Sequence, residues 1–208
     1  MKGLLLKDFY NLQKYCKTIA LIFVVWCVIF LPDGSVDFLT GLISVLCVMM
    51  TVSSFSYDEA AKWERYALTM PLGRSQLVRS KYVLGLILAL LGVALSALIG
   101  VIGRLLISDF SGDILPSLAV NLGVGLFYAA AVLPFIFKFG AERARLVMIL
   151  VFLIPFALLM ALQYSGFEPA ISPTLSPAVI AIAALLLIAA LYVISYMLSC
   201  RIFAKREF

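Results

Sequence analysis

The chain has 208 residues, of which 64% are hydrophobic and 13% are charged, with a formal net charge of +5. The charged share is about half that of a soluble domain, so a soluble globular protein is excluded and the chain is expected to lie within a membrane. It contains no histidine, which excludes histidine metal ligands, histidine proton relays and Ser-His or Cys-His catalytic pairs.

The first 17 residues have an amphipathic pattern at helical spacing. Apolar residues recur on one face and polar residues on the other, namely Leu5, Phe9, Leu12 and Cys16 against Lys7, Asn11 and Lys14. This pattern predicts a helix that lies in the membrane interface and contacts lipid headgroups. A signal peptide also begins with a basic segment, but no A-x-A-like cleavage site follows the apolar run, so we do not expect cleavage.

Six apolar blocks follow the interfacial segment. Most reach the roughly 20 residues that a helix needs to cross the hydrocarbon core. The predicted fold is therefore all-α, a polytopic membrane protein with one transmembrane domain over residues 1–208. The predicted spans are about 18–31, 36–57, 82–107, 114–137, 146–164 and 177–199. Pro134 and Pro155 fall inside two of them, where kinks are expected.

The basic residues predict the orientation. With six spans and both termini in the cytosol, every Lys and Arg except Arg104 lies on the cytosolic side. Cytosolic loops of membrane proteins carry just this excess of basic residues. The net positive charge is thereby explained by topology, and no nucleic-acid partner is expected.

The connection between the second and third spans, residues 57–81, is unusually long and charged. A simple loop needs only a few residues, so we favour a docking surface for another protein over a plain connection. Asp58 to Met70 is predicted to form one short helix, in which Asp58 pairs with Lys62 at i, i+4. Lys81 is predicted to project into the cytosol below a span that begins near Tyr82.

Local signals divide this connection further. Trp63, Tyr66 and Met70 have the spacing of one apolar helical stripe. Pro71 is expected to end the helix, and Ser75 is expected to cap the next one. The later basic loop over residues 138–145 is explained by topology alone or by a second, smaller docking contact.

Polar residues within the spans leave two interpretations open. They are either interhelical hydrogen-bonding groups or a mildly polar wall of a translocation path; the candidates are Ser53, Ser54, Asn121, Gln163, Tyr196 and Arg104. Arg104 extends to the outer interface near Asp109, or it places a fixed positive charge at an outer exit. Glycines of the third span, such as Gly92, are expected to permit close helix packing.

Two absences restrict the chemistry. The sequence lacks the GxxxxGK[ST] pattern, so the chain is not expected to bind and hydrolyse ATP through a P-loop. No carboxylate lies in the middle of a span, which disfavours a proton- or sodium-coupled carrier built on buried acids. A membrane-embedded enzyme is disfavoured on the same grounds, and neither a metal site nor a catalytic residue is predicted.

Two motifs resemble those of a known family. The first is K-x-L-x-x-K-D-x-x, matched by Lys2 to Tyr10; the second is E-R-Y-x-L-x-x-P-x-x-R…K-Y, matched by Glu64 to Arg74 with Lys81 and Tyr82 following. At these positions the sequence is similar to the ABC-2 type permeases, the membrane subunits of ATP-binding-cassette exporters. The likeness is to the small six-span half-permeases of bacteria, and it covers essentially the whole chain.

The resemblance implies specific partners. It implies that the segment over residues 58–74 is a coupling helix and turn seated in a groove of a cytosolic ABC ATPase, and that residues 1–17 are an elbow helix. The implied docking residues are Asp58, Glu59, Lys62, Trp63, Glu64, Arg65, Tyr66, Leu68, Met70, Pro71 and Arg74. Two permease chains, identical or different, would join two ATPases in the bacterial plasma membrane. ATP and Mg would be bound by the ATPase, with no cofactor in this chain.

The function implied is export by alternating access. Binding of ATP to the separate ATPase would move the coupling helices and carry a hydrophobic or amphipathic cargo outward, a peptide being the favoured example. The short segment over residues 165–176 leaves room only for a small outer gate. The alternative is a non-transporting sensor or immunity subunit that binds a similar ATPase or a peptide.

Overall fold

The computed structural model describes residues 2–30, 36–70, 73–106, 114–164 and 177–205. Within these ranges the chain forms seven helices and no strand, which confirms the all-α prediction there. The helices are α1 (Lys2–Phe30), α2 (Val36–Ala60), α3 (Trp63–Thr69), α4 (Arg74–Leu106), α5 (Ile114–Phe139), α6 (Ala141–Tyr164) and α7 (Pro177–Ala204).

Four helices are long and apolar enough to cross a membrane, over Phe38–Ala60, Arg74–Leu105, Pro116–Phe139 and Ile182–Ala204. The two parts of α1, Gly3–Tyr15 and Lys17–Phe30, meet at a bend of 54° and make a fifth candidate if they are taken together as one span. The described residues therefore contain four or five candidate spans. The predicted span over residues 146–164 lies in α6, many of whose side chains are outside the description, so a count of six remains a prediction.

Helices α2, α4, α5 and α7 form the centre of the molecule. One continuous cluster of buried side chains joins them, including Phe55, Tyr82, Val132, Phe137 and Phe203. A β-carbon added to Gly92 on α4 would lie 3.1 Å from the Cα of Ser44 on α2. The predicted close packing at this glycine is confirmed, because any larger residue would force the two backbones apart.

Helix α5 continues across Pro134 because another helix replaces the lost hydrogen bond. Proline has no N–H to donate to the carbonyl four residues earlier, which belongs to Ala130. The Ser195 hydroxyl of α7 donates to that carbonyl oxygen at 2.7 Å. Since Ser195 has one proton, Tyr82 of α4 must donate to it across their 2.7 Å contact. Three helices are thus joined at the proline.

The predicted single helix from Asp58 to Met70 is wrong. Helix α2 continues to Ala60, the chain turns at Lys62 with a left-handed φ of 49°, and α3 begins at Trp63. This backbone conformation costs a non-glycine residue about 1 kcal/mol. It persists because Asp58 is held in line with α2 by buried ion pairs while Trp63 turns back onto the core.

The cap predicted at Ser75 is also wrong. The carbonyl oxygen of Gly73 accepts hydrogen bonds from the backbone N–H groups of Gln76 at 2.9 Å and Leu77 at 3.4 Å. Gly73 therefore has the capping position, and Ser75 lies within the first turn of α4. Pro71, the predicted helix stop, is outside the described residues.

Candidate functional site

Four charged side chains are buried together where α1, α2 and α4 meet. We call Lys7, Asp8, Asp58 and Lys81 the charge cluster. The Lys81 ammonium lies 3.0 Å from Asp8 Oδ1 and 2.6 Å from Asp58 Oδ2, and it donates to Ser54 Oγ at 2.7 Å. These three acceptors account for its three N–H groups. The side chains of Asp8, Asp58 and Lys81 are 1%, 7% and 8% exposed.

Lys7 connects the charge cluster to α3. Its ammonium donates to Asp58 Oδ1 at 2.5 Å and lies 4.4 Å from the centre of the Trp63 ring. With two carboxylates and two ammonium groups, the cluster is neutral, as burial of charge requires. Removal of one member of a buried ion pair typically costs 3–5 kcal/mol, because the remaining charge stays desolvated.

The charge cluster corrects two predictions. Asp58 does not pair with Lys62; it pairs with Lys7 and Lys81, because the turn at Lys62 separates α2 from α3. Lys81 does not project into solvent, because carboxylates from α1 and α2 hold it within the bundle. Asp58 is thereby the least accessible, at 5% exposure, of those predicted docking residues whose side chains the structure describes.

The face that α1 packs against the other helices shares Leu12 with the predicted apolar face but has Asp8 at its centre. Leu4, Asp8 and Leu12 are 8%, 1% and 2% exposed, whereas Phe9 of the predicted apolar face is 38% exposed. The sequence does contain the signal for this arrangement, since Asp8 stands midway between two leucines at i−4 and i+4. A carboxylate on an apolar helix face needs a cation from another element, and here Lys81 supplies it.

Glu59 joins the end of α2 to the beginning of α6. Its Oε2 accepts a hydrogen bond from the backbone N–H of Ala141 at 2.8 Å. Gly140 precedes that residue with a φ of +86°, and a β-carbon there would lie 2.7 Å from Glu59 Oε1. A carboxylate at a helix N-terminus satisfies an otherwise unpaired N–H and complements the helix dipole. This predicted docking residue therefore has a structural contact within the chain.

Arg74 stabilises the C-terminal end of a helix, as Glu59 stabilises an N-terminal end. Its guanidinium donates to the carbonyl oxygen of Ala204 at 2.7 Å, where α7 ends. Basic side chains stabilise these last carbonyl groups, which have no partner within the helix. The beginning of α4 and the end of α7 are thus tied together.

Helix α3 has one buried and one exposed face. Ala67 is fully buried and Trp63 packs against the core, whereas Tyr66 is 57% exposed. Within the predicted stripe of Trp63, Tyr66 and Met70, the rings of Trp63 and Tyr66 lie 5.5 Å apart, with Trp63 facing the core and Tyr66 facing outward. The exposed side chains share a helical spacing of i, i+3, i+4 and i+7; they are Lys62, Arg65, Tyr66 and Thr69. We call these four the outer face of α3; the side chain of Leu68 is outside the description.

A small cavity lies behind α3, against the charge cluster. Its volume is about 20 Å³, enough for one water molecule, and Asp8, Trp63 and Glu64 are among its lining residues. Asp8 Oδ2 is buried and has no hydrogen-bond partner among the residues described. Glu64, a predicted docking residue, is half-buried and faces this cavity.

The predicted path residues do not meet at one place. Ser54 is fully buried beside Lys81, while exposed Arg104 lies 23 residues farther along α4, about 35 Å away. Tyr196 packs its ring 5.3 Å from that of Tyr82. Asn121 is buried, and its side-chain nitrogen has no partner within the described residues. Ser53 is half-buried, and the Gln163 side chain is outside the description.

The geometry so far is that of a helical membrane protein whose short α3 packs beside α2 and contacts Lys7 of α1 through Trp63. No curated protein matches this chain significantly. A family model described as "ABC-2 family transporter protein" matches residues 3–204. Since this match covers nearly the whole chain, the protein belongs to the ABC-2 family of transporter membrane proteins.

Proposed function

We propose that this chain is the permease subunit of an ATP-binding-cassette exporter and that the outer face of α3 is its contact with the ATPase. Family membership supports a membrane transport component with an ABC ATPase as partner. The proposed ATPase contact through α3 rests on the difference between the two faces of this helix. Its outer face is exposed among the described residues, and its inner face packs on the core through Trp63 and Ala67.

The contacts behind α3 suggest how movement would spread. When ATP closes the ATPase dimer, α3 would be displaced as a rigid element. Trp63 contacts Lys7 on α1, and Lys7 shares Asp58 with Lys81 on α4. Glu59 extends the connection to α6. Alternating access in this scheme is a rearrangement of four helices around the charge cluster.

The finer architecture is proposed on helix lengths. Helix α6 has 24 residues, or about 36 Å, more than the ~30 Å of the hydrocarbon core. It is therefore long enough to be the sixth span. The 54° bend in α1 supports an elbow helix over residues 1–17 followed by a span. We propose both termini in the cytosol of a bacterial cell and a permease dimer of identical or different chains.

The cargo is proposed from the chemistry of the spans. Large apolar side chains such as Leu98, Val120 and Leu186 are 60–67% exposed on the surface of α4, α5 and α7. An apolar environment favours a hydrophobic or amphipathic molecule, for which a peptide is our preferred example, over an ion or a sugar. ATP and Mg would be bound by the ATPase alone.

Co-purification tests the ATPase contact. The tagged chain is isolated from its native membranes in a mild detergent, and soluble partners are identified by mass spectrometry. We expect a P-loop ATPase in stoichiometric amount. The double variant Arg65→Asp/Tyr66→Asp should reduce its yield by at least about tenfold, because a carboxylate buried at an interface without a partner costs more than 1.4 kcal/mol.

The matched control is Arg201→Asp, an exposed charge reversal at the end of α7, which should leave the yield unchanged. Equal recovery of the ATPase with the α3 double variant would disprove docking through the outer face of α3. Recovery of the wild-type chain without any ATPase would instead favour the sensor or immunity alternative.

A further inference from the structure

An apolar groove runs along the surface between α5 and α7. Its volume is about 740 Å³. Small and large apolar side chains line it from both helices, among them Phe127, Ala131, Pro134, Leu191 and Leu198. The α5 side chains that pack in the core, such as Val132, Leu133 and Ile136, are not among its lining residues.

One end of the groove is basic. Lys138, in the last turn of α5, and Lys205, just after α7, both line it and are both exposed. None of its described lining residues is acidic. Since α5 and α7 run in the same direction and both lysines close their helices, the two ammonium groups lie at the same, predicted cytosolic, membrane boundary.

The length of the groove corresponds to one leaflet. On α5 the lining extends from Phe127 to Lys138, a rise of about 16 Å, and on α7 from Leu191 to Lys205, about 21 Å. Half of the hydrocarbon core is about 15 Å. The lysines are therefore at headgroup depth when the apolar lining reaches the middle of the bilayer.

We propose that this groove binds one anionic phospholipid of the cytosolic leaflet. The phosphate lies between Lys138 and Lys205, and an acyl chain follows the apolar lining past Pro134 and Leu198. Basic pockets between transmembrane helices on this side recognise such headgroups. The proposal depends on the predicted orientation but not on the ATPase contact.

Charge complementarity favours a lipid over a second copy of the chain. A second copy would need several acids at the same depth, but Asp8, Asp58 and Glu59 already have partners within the chain, which leaves Glu142 as the exposed acid among the described residues near this boundary. A twofold-related copy using the same groove would also place lysines near lysines. An anionic headgroup neutralises both without demanding any acid.

Native mass spectrometry of the purified protein tests the proposal. The full chain is titrated with phosphatidylglycerol and with phosphatidylcholine, and the bound fraction of each is measured. In the variant Lys138→Gln/Lys205→Gln, the ratio of phosphatidylglycerol binding to phosphatidylcholine binding should be roughly 10- to 30-fold lower than in the wild-type chain. The variant Lys62→Gln/Arg65→Gln removes the same charge from exposed positions on the outer face of α3 and should keep the preference.

Two further variants distinguish the occupants. Ala131→Trp fills the groove and should lower the binding of both lipids while size-exclusion chromatography still gives a monodisperse peak. Ala131→Cys should form no disulfide between two copies in oxidised native membranes. An unchanged preference in the double lysine variant, an equal loss in both double variants, unaltered binding by Ala131→Trp, or efficient cross-linking between copies would each overturn the proposal.

Discussion

At the scale of single residues, Pro134 and Ser195 make a matched pair. The proline removes a backbone N–H from α5, and the serine on α7 supplies the hydrogen that the Ala130 carbonyl would otherwise lack. Within the hydrocarbon core there is no water to donate a hydrogen bond to an unpaired carbonyl group. The proline is therefore tolerated because of a residue 61 positions later in the sequence, on a different helix.

A double-mutant cycle checks this pairing. Ser195→Ala should lower the free energy of unfolding by about 1–2 kcal/mol, because the Ala130 carbonyl and the Tyr82 hydroxyl each lose a partner. In the Pro134→Ala background the cost should fall by about half, since the new N–H at position 134 can bond to Ala130. Unfolding in mixed detergent micelles measures both. Equal costs in the two backgrounds would show that Ser195 does not compensate for the proline.

At the scale of elements, the charge cluster holds α1, α2 and α4 at one end. The Coulomb attraction within the cluster is offset by the free-energy cost of removing four charges from water. The cluster therefore fixes the geometry of the helices more than it adds to the free energy of unfolding. An apolar contact at this place would allow sliding between helices. Ion pairs and hydrogen bonds at 2.5–3.0 Å fix the separation and rotation of the helices. A stiff connection is what transmission from α3 requires.

Removal of one charge should be much worse than removal of two. Lys81→Met leaves Asp8 and Asp58 with a single ammonium and should cost about 3–5 kcal/mol in the free energy of unfolding. Lys81→Met/Asp8→Leu restores neutrality around the Lys7–Asp58 pair and should recover more than half of that loss. Lys62→Met, at an exposed position on the outer face of α3, should change stability by less than about 0.5 kcal/mol.

The same micelle unfolding assay separates these variants. If the double variant is as unstable as Lys81→Met or worse, then lost packing rather than uncompensated charge explains the effect. If Lys81→Met matches the Lys62→Met control, then Lys81 is not part of a buried ion network.

At the scale of the whole molecule, the distribution of basic residues predicts two cytosolic termini. Single cysteines are introduced into a variant in which the four native cysteines are replaced by serine or alanine. A membrane-impermeant maleimide applied to intact cells should label Gly34→Cys, in a predicted outer loop, and should leave Lys205→Cys unlabelled until the membrane is opened. Labelling of Lys205→Cys in intact cells would contradict an even number of spans.

Much of the fold could be predicted from the sequence because the apolar composition and the lengths of the apolar blocks determine it. A mostly apolar chain with repeated blocks of about 20 residues must form membrane helices, and the helices found enclose nearly all of the predicted spans. The family was recognisable from residues 64–74 and the N-terminal motif. The outward position of Arg65 also follows from local pattern, since charged residues on a short helix tend to face solvent.

The partners of the charged residues could not be predicted in the same way. Local spacing suggested that Asp58 pairs with Lys62, because an i, i+4 pair is the only contact that a helix guarantees. The actual partners are 51 residues before it and 23 residues after it, and only the packing of α1 and α4 brings them there. The same holds for Glu59 and Arg74, whose acceptor or donor lies at the end of a distant helix.

The spacing of the charge cluster along the chain has a consequence for biosynthesis. Lys81 is made 73 residues after Asp8 and 23 residues after Asp58, so it is the last of the four cluster members to be synthesised. Until then Lys7 is the only ammonium group of the charge cluster, and a carboxylate without a counter-ion is more stable in water than buried between helices. Arrival of α4 completes the neutral set. We therefore expect the N-terminal half to complete its packing only after α4 has been inserted, because burial of the cluster requires all four charges.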